Sequence, residues 1–196
     1  SKLIIVEGPQ GAGKTTVTDY LRNKLPYTNL YRLCGTSDQG YTGKNKAAGM
    51  YMSLLDYIKT LENKSINLVF DRTFFTEQVY CTMGKKDYDF TEFYQLFCDK
   101  LFEMDFEIYY ITLFLSNPES YAARLDRPGK AEFKTSLFSG ENSFMQQIEY
   151  GQMLSALVEA YGNKENVNFY SLDTDRTKKE VFKDLDNLFN LNWFYK

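Results

Sequence analysis

Residues 4–16 read IIVEGPQGAGKTT. With Lys2 and Leu3 ahead of it, the stretch opens as a short continuous apolar run, the pattern of a strand buried on both faces of a parallel sheet. It then passes through Gly8, Gly11 and Gly13 to a lysine and two threonines. Beyond them Val17, Tyr20, Leu21 and Leu25 recur at helical spacing, and Pro26 stops the helix. Gly8 to Thr15 thus matches G-x-x-x-x-G-K-[ST] in the setting where that motif works, after a buried strand and at the start of a helix. Glycines let the backbone curl so that successive N–H groups face one centre, and the helix N-terminus adds partial positive charge. A plain strand-to-helix turn with a solvated lysine would need neither the three glycines nor the lysine. The loop is expected to hold the phosphates of a nucleoside triphosphate, with Lys14 reaching the β- and γ-phosphates and the Thr15 hydroxyl on Mg²⁺.

The rest of the chain repeats the alternation. Leu30 to Leu33, Ile66 to Phe70, Ile108 to Leu115 and Val167 to Leu172 read as further strands. Helical stripes lie between them, at Met50 to Leu61, at Phe90 to Met104, after Pro118, and from about Ser143 to Tyr161. A terminal helix carries Val181, Leu185, Leu188 and Phe189. Two polar, Gly-containing stretches, GTSDQGYTGKN (35–45) and RPGKAEFKTSLFSGEN (127–142), read as loops. Alternating strands and helices mean βαβ units and a parallel sheet. The expected architecture is a single α/β domain over 1–196, a three-layer P-loop NTPase fold with a parallel sheet of about five strands.

Composition bounds the function. The chain has 196 residues, a net charge of −3, no histidine and three cysteines without metal or redox spacing. The lack of histidine removes His-based nucleophilic catalysis and argues against a conventional zinc site. The weak charge gives no reason to expect a nucleic-acid partner, and no stretch approaches a membrane span. Reduced thiols fit a cytoplasmic protein. Exposed aromatic helix faces would suit a homodimer.

An N-K-x-D guanine reader is missing: NKAA (45–48) and NKEN (163–166) both fail at the fourth position. A phosphotransferase instead needs an acceptor site facing the γ-phosphate, with cations to neutralise the moving charge. Asp71-Arg72 closes a buried strand, so it falls at the carboxyl edge of the sheet where the phosphate loop opens. Asp71 could hold Mg²⁺ through water or bind an acceptor hydroxyl, and Arg72 could clamp a phosphate. Arg124 and Arg127 lie three apart, Arg127 opening the RPGK stretch, and read as lid arginines, which Lys130 could join. Arg32, at the end of the second strand, faces the same edge.

In order and spacing these residues resemble the thymidylate kinase and deoxynucleoside kinase families of P-loop phosphotransferases. VEGPQGAGKTT is similar to their phosphate loop, FDRTFFTEQVY to their strand-ending acid-arginine pair with its aromatic-rich helix, and LFLSNPESYAARLDRPGK to their arginine lid. YSLDTDRTKKEV resembles the last strand and the loop against adenine. The resemblance implies transfer of the ATP γ-phosphoryl group, with Mg²⁺, to a nucleoside or its monophosphate. ATP would lie against Gly8, Pro9, Gln10, Gly11, Ala12, Gly13, Lys14, Thr15 and Thr16, with Arg124, Asp175 and Arg176. Thr15 and Asp71 would serve the metal. Lys14, Asp71, Arg72, Arg124 and Arg127 would act on the transferred group, within a lid at about 124–142. Glu7, Gln10, Arg32, Arg72 and Phe75 would meet the acceptor, Gln10 at the sugar 3′-hydroxyl. Among the aromatics, Tyr51, Phe74, Phe75 and Tyr80 could line its pocket or belong to the core.

Deoxynucleoside kinases deprotonate a 5′-hydroxyl with a carboxylate just after the second strand, usually in Glu-Pro. Here that place reads YRLCGTSDQG. Arg32, Gly35 and Thr36 there are closer to the monophosphate kinases, whose acceptor is already an anion. A deoxynucleoside monophosphate is therefore the favoured acceptor. A nucleoside 5′-hydroxyl is the alternative, and a modified base or end within DNA or an ATP-binding switch without acceptor chemistry stand behind it.

Overall fold

The computed structural model of the chain describes residues 1–126 and 139–191. Arg127, Lys130 and the rest of 127–138, the middle of the expected lid, lie outside the described residues. Five parallel strands form one sheet in the order β2-β3-β1-β4-β5. They are β1 (Lys2–Glu7), β2 (Thr28–Arg32), β3 (Asn67–Asp71), β4 (Glu107–Phe114) and β5 (Val167–Asp173). The intervening helices are α1 (Lys14–Lys24), α2 (Gly40–Thr60), α3 (Phe74–Thr82), α4 (Thr91–Phe102), α5 (Ser120–Leu125), α6 (Gly140–Tyr161) and α7 (Lys178–Phe189).

Because a strand alternates its side chains between faces, the apolar run of β1 feeds two cores at once. Leu3 and Ile5 join Phe70, Tyr110 and the inner faces of α2, α3 and α4 on one side. Ile4 and Val6 join Val69, Ile111 and the inner faces of α1 and α7 on the other. Helices thus cover both faces of the sheet, giving the three layers expected. The register places Val6 opposite Asp71 and Glu7 opposite Thr112, so β1 and β3 end within a residue of each other while β4 runs two residues further. Among the described residues no helix is long and apolar enough to cross a membrane.

One element differs from its sequence reading. The stretch 35–45 was expected to be a loop, yet α2 begins at Gly40. Gly43 explains the discrepancy: a Cβ there would lie 2.2 Å from the Asp38 carbonyl oxygen. The glycine serves close packing of the incoming chain rather than a turn, and its helix-breaking tendency is overridden by that contact.

Candidate active site

The phosphate loop joins β1 to α1, and Gly13 caps the helix in the left-handed conformation (φ 95°) that favours glycine. No side-chain oxygen caps this N-terminus, so its backbone N–H groups are left for a ligand. Lys14 curls back and donates to the carbonyl oxygens of Gly8 (2.6 Å) and Pro9 (2.8 Å). Burial and the nearby Arg72 guanidinium pull the Lys14 pKa down, while Asp71 and Glu7 pull it up. Thr15 is exposed in the first turn of α1. Gln10, Gly11, Gly13, Lys14, Thr15 and Thr16 line a cleft of about 440 Å³ at the carboxyl edge of the sheet; Gly8, Pro9 and Ala12, also expected against ATP, are not among its lining residues.

The far wall of the cleft is cationic. Arg72 follows β3 with a left-handed backbone (φ 73°), which turns its side chain onto Gln10, whose Oε1 accepts from the guanidinium. Arg32 donates to Asp71 (3.3 Å) and to Asp19 of α1 (2.5 Å). On the opposite side Arg124 of α5 donates to the carbonyls of Gly11 (3.2 Å) and Thr174. Arg124 thus lies across the loop beside Gly13. Beyond it Arg176, Val181 and Phe182 line the end of the cleft away from Arg72.

Glu7 sits beneath the loop and is fully buried. Its carboxyl accepts from the Thr73 N–H (2.8 Å), the Thr73 hydroxyl (3.0 Å) and the Thr76 hydroxyl (2.7 Å). Burial pushes its pKa up, against those bonds and Lys14. It therefore ties β1 to the start of α3 and holds the turn that carries Arg72. Its own atoms are closed to a ligand, unlike the acceptor contact expected for it. Phe75 departs in the same way. It has no exposed surface and packs against Phe74 and Tyr110 in the aromatic core. Asp175 turns away from the cleft and accepts from the Asn117 N–H (2.9 Å) and Ser120 hydroxyl (3.1 Å), fixing the entry to α5.

Three further residues take part that sequence reasoning missed. Ser143 of α6 donates to the Gln10 carbonyl (2.8 Å), and Gln146 accepts from the Gln10 N–H (3.4 Å). Thr174 donates to the Ala12 carbonyl (2.5 Å). All three are buried. Polar residues on a helix usually mark the solvent face. The only signal here was that Ser143, Gln146 and Tyr150 share one face of α6.

The residues fit a Mg²⁺–nucleotide complex. Thr15 and Asp71 line the same cleft, and Arg32 bridges them by also reaching the Thr15 carbonyl (3.4 Å). Among the described residues no three acidic, His or Cys side chains gather around one point. One hydroxyl and one carboxylate suit Mg²⁺, which keeps several waters and takes other ligands from phosphates.

No family model matches the sequence, and no curated protein matches it. Solved structures do. YorR from Bacillus subtilis, described in complex with phosphorylated GDP, is 20% identical over 98% of both chains, with a TM-score of 0.64. A deoxyadenosine kinase from M. mycoides, with products dCMP and dCDP, is 18% identical over 97% of this chain and 98% of that one, with a TM-score of 0.61. Thymidylate kinase from Candida albicans is 15% identical over 99% of this chain and 93% of that one, with a TM-score of 0.65. The chain has the P-loop kinase fold. On this P-loop kinase scaffold Lys14, Arg32, Asp71, Arg72 and Arg124 meet in one cleft, and Arg176 meets them from the β5–α7 turn.

Proposed function

We propose that the chain transfers the γ-phosphoryl group of ATP to the phosphate of a deoxynucleoside 5′-monophosphate. One observation carries the choice of acceptor. At the carboxyl edge around Arg72 the described side chains offer cations, while the neighbouring carboxylates are engaged. Asp71 is paired with Arg32 and would serve the metal once that pair opens, Glu7 is buried under three donors, and Asp38 is paired with Lys46. A 5′-hydroxyl would need one of them as a base. A monophosphate is already mostly dianionic at neutral pH (second pKa about 6) and needs cations instead.

In this reading an oxygen of the acceptor phosphate attacks Pγ as the bond from Pγ to the β,γ-bridging oxygen breaks, and ADP leaves with that electron pair. Lys14 shifts from its loop carbonyls to the β- and γ-phosphate oxygens. Arg124, lying across the loop, stabilises charge on the transferring group. Arg72 and Arg32 orient the acceptor phosphate, for which a planar guanidinium is the better partner. Mg²⁺ on Thr15 and Asp71 would supply further neutralisation. Gln10, held by Ser143, Gln146 and Arg72, presents an amide to the acceptor sugar.

Side-by-side kinetics on each nucleoside and its 5′-monophosphate with Mg-ATP, following ADP release, tests the reading. A monophosphate is expected to be preferred. Arg72→Ala should then lower kcat/KM by about 10- to 150-fold, the loss of a charge-assisted bond worth roughly 1.5–3 kcal/mol. A clear preference for the nucleoside would overturn the assignment.

A further inference from the structure

The carboxylate on the metal side of the cleft already has a cation. Asp71 is almost fully buried at the end of β3, and its partner at ion-pair distance is the Arg32 Nε, at 3.3 Å. The Arg32 guanidinium is in turn fixed over the first turn of α1. It meets Asp19 Oδ1 (2.5 Å), the Thr15 carbonyl (3.4 Å) and the Thr18 hydroxyl (3.4 Å). It therefore stands beside the Thr15 residue whose hydroxyl is the other candidate metal ligand. A divalent ion between Thr15 and Asp71 and a guanidinium on Asp71 would repel each other at close range.

We infer that Arg32 is an exchangeable counter-ion: it neutralises Asp71 in the free protein and gives that carboxylate up when a metal–nucleotide complex enters. The inference rests on the reading of the cleft as a Mg²⁺–nucleotide site. The carboxylate is never left buried and uncompensated, a state that is strongly unfavourable. The released guanidinium retains Asp19, which is half-exposed, as its tether at the mouth of the cleft. It is then free to meet an acceptor phosphate only after the metal is in place. Arg32 thus sets how tightly the metal is held as well as how the acceptor is met.

The test is equilibrium binding of ADP at a series of Mg²⁺ concentrations, with thermal unfolding in parallel, for wild type, Arg32→Met and Arg32→Lys. Removing a competing unit charge at this range should tighten the apparent Mg²⁺ constant of Arg32→Met by a factor on the order of ten. Without ligand the same variant should melt below wild type, and Mg²⁺ with ADP should raise its Tm by more than they raise that of wild type. Asp71→Asn should abolish both differences, so that Asp71→Asn and the double variant behave alike. Should Arg32→Met not fold, Arg32→Lys, which keeps the charge without the fork, must shift the Mg²⁺ constant in the same direction by less. An Arg32→Met Mg²⁺ constant equal to or weaker than wild type overturns the exchange while leaving the nucleotide site standing. Wild-type protein that binds no ADP at any Mg²⁺ concentration overturns the nucleotide reading, and this inference with it.

Discussion

Lys14 spends two of its N–H donors on the carbonyls of its own loop, so its side-chain nitrogen is placed before any phosphate arrives. Lys14→Ala should leave a folded protein, since the loop is also held by Thr174 and α6, and should lower kcat by at least about 10²-fold. Among the described residues Arg124 donates to the Gly11 and Thr174 carbonyls, which puts it over the phosphates rather than at the acceptor. Arg124→Ala is expected to lower kcat more than it raises the acceptor KM, and full steady-state kinetics on both substrates would show the split. The lowered pKa of Lys14 has its own signature. Phosphate charge should restore the protonated form, so nucleotide binding at about pH 8 should take up protons, measurable calorimetrically in buffers of different ionisation enthalpy. These residues were legible in the sequence because their chemistry demands fixed spacing. Glu7, Phe75 and Asp175 were misplaced because spacing names the turn a residue belongs to, not the direction in which its side chain points. All three stand next to the cleft in sequence, and buried donors, aromatic packing or backbone N–H groups claim them instead.

At the scale of elements, α6 acts as a brace on the phosphate loop. Ser143 and Gln146 take the backbone C=O and N–H of Gln10, while Gln147 accepts from the Leu115 N–H (3.0 Å) and donates to the Leu115 carbonyl (3.1 Å). One turn and a half of helix thereby fixes the ends of both the loop and β4. Gln146→Ala should cost on the order of 1 kcal/mol of stability, since the Gln10 N–H that loses its partner is part-buried and its bond is long (3.4 Å). It should also raise the KM for ATP, and denaturant titration with donor kinetics checks both. The helix itself was readable from its periodicity. Its bracing role was not, since glutamine on a helix usually means water. For α2 the failure ran the other way: two glycines in its first turn outweighed the helical pattern behind them, and only the Asp38 backbone shows why Gly43 must be small.

At the scale of the molecule, the two sides of the sheet differ in kind. The core under α2, α3 and α4 is aromatic, with Phe74, Phe75, Phe90, Phe97, Phe102 and Tyr110 all fully buried. The core under α1 and α7 is mainly aliphatic. Phe75→Ala should therefore act as a core truncation, costing about 3–5 kcal/mol, with an unchanged acceptor KM in the protein that still folds. Layering was legible because uninterrupted apolar runs demand cover on both faces. Strand order was not, because every buried parallel strand presents much the same run, and only the register shows that β1 lies between β3 and β4.

The left-handed backbone at Arg72 narrows what descent can do with that position. Glycine or asparagine would relax the bend that a branched or long side chain resists, but each removes the cation. Lysine keeps the charge, keeps the bend, and gives up the planar fork. A lineage selected only for heat tolerance would find its easiest gain at residue 72 in forms that no longer meet the acceptor. Thermal hardiness and turnover are set against each other there by a single dihedral angle.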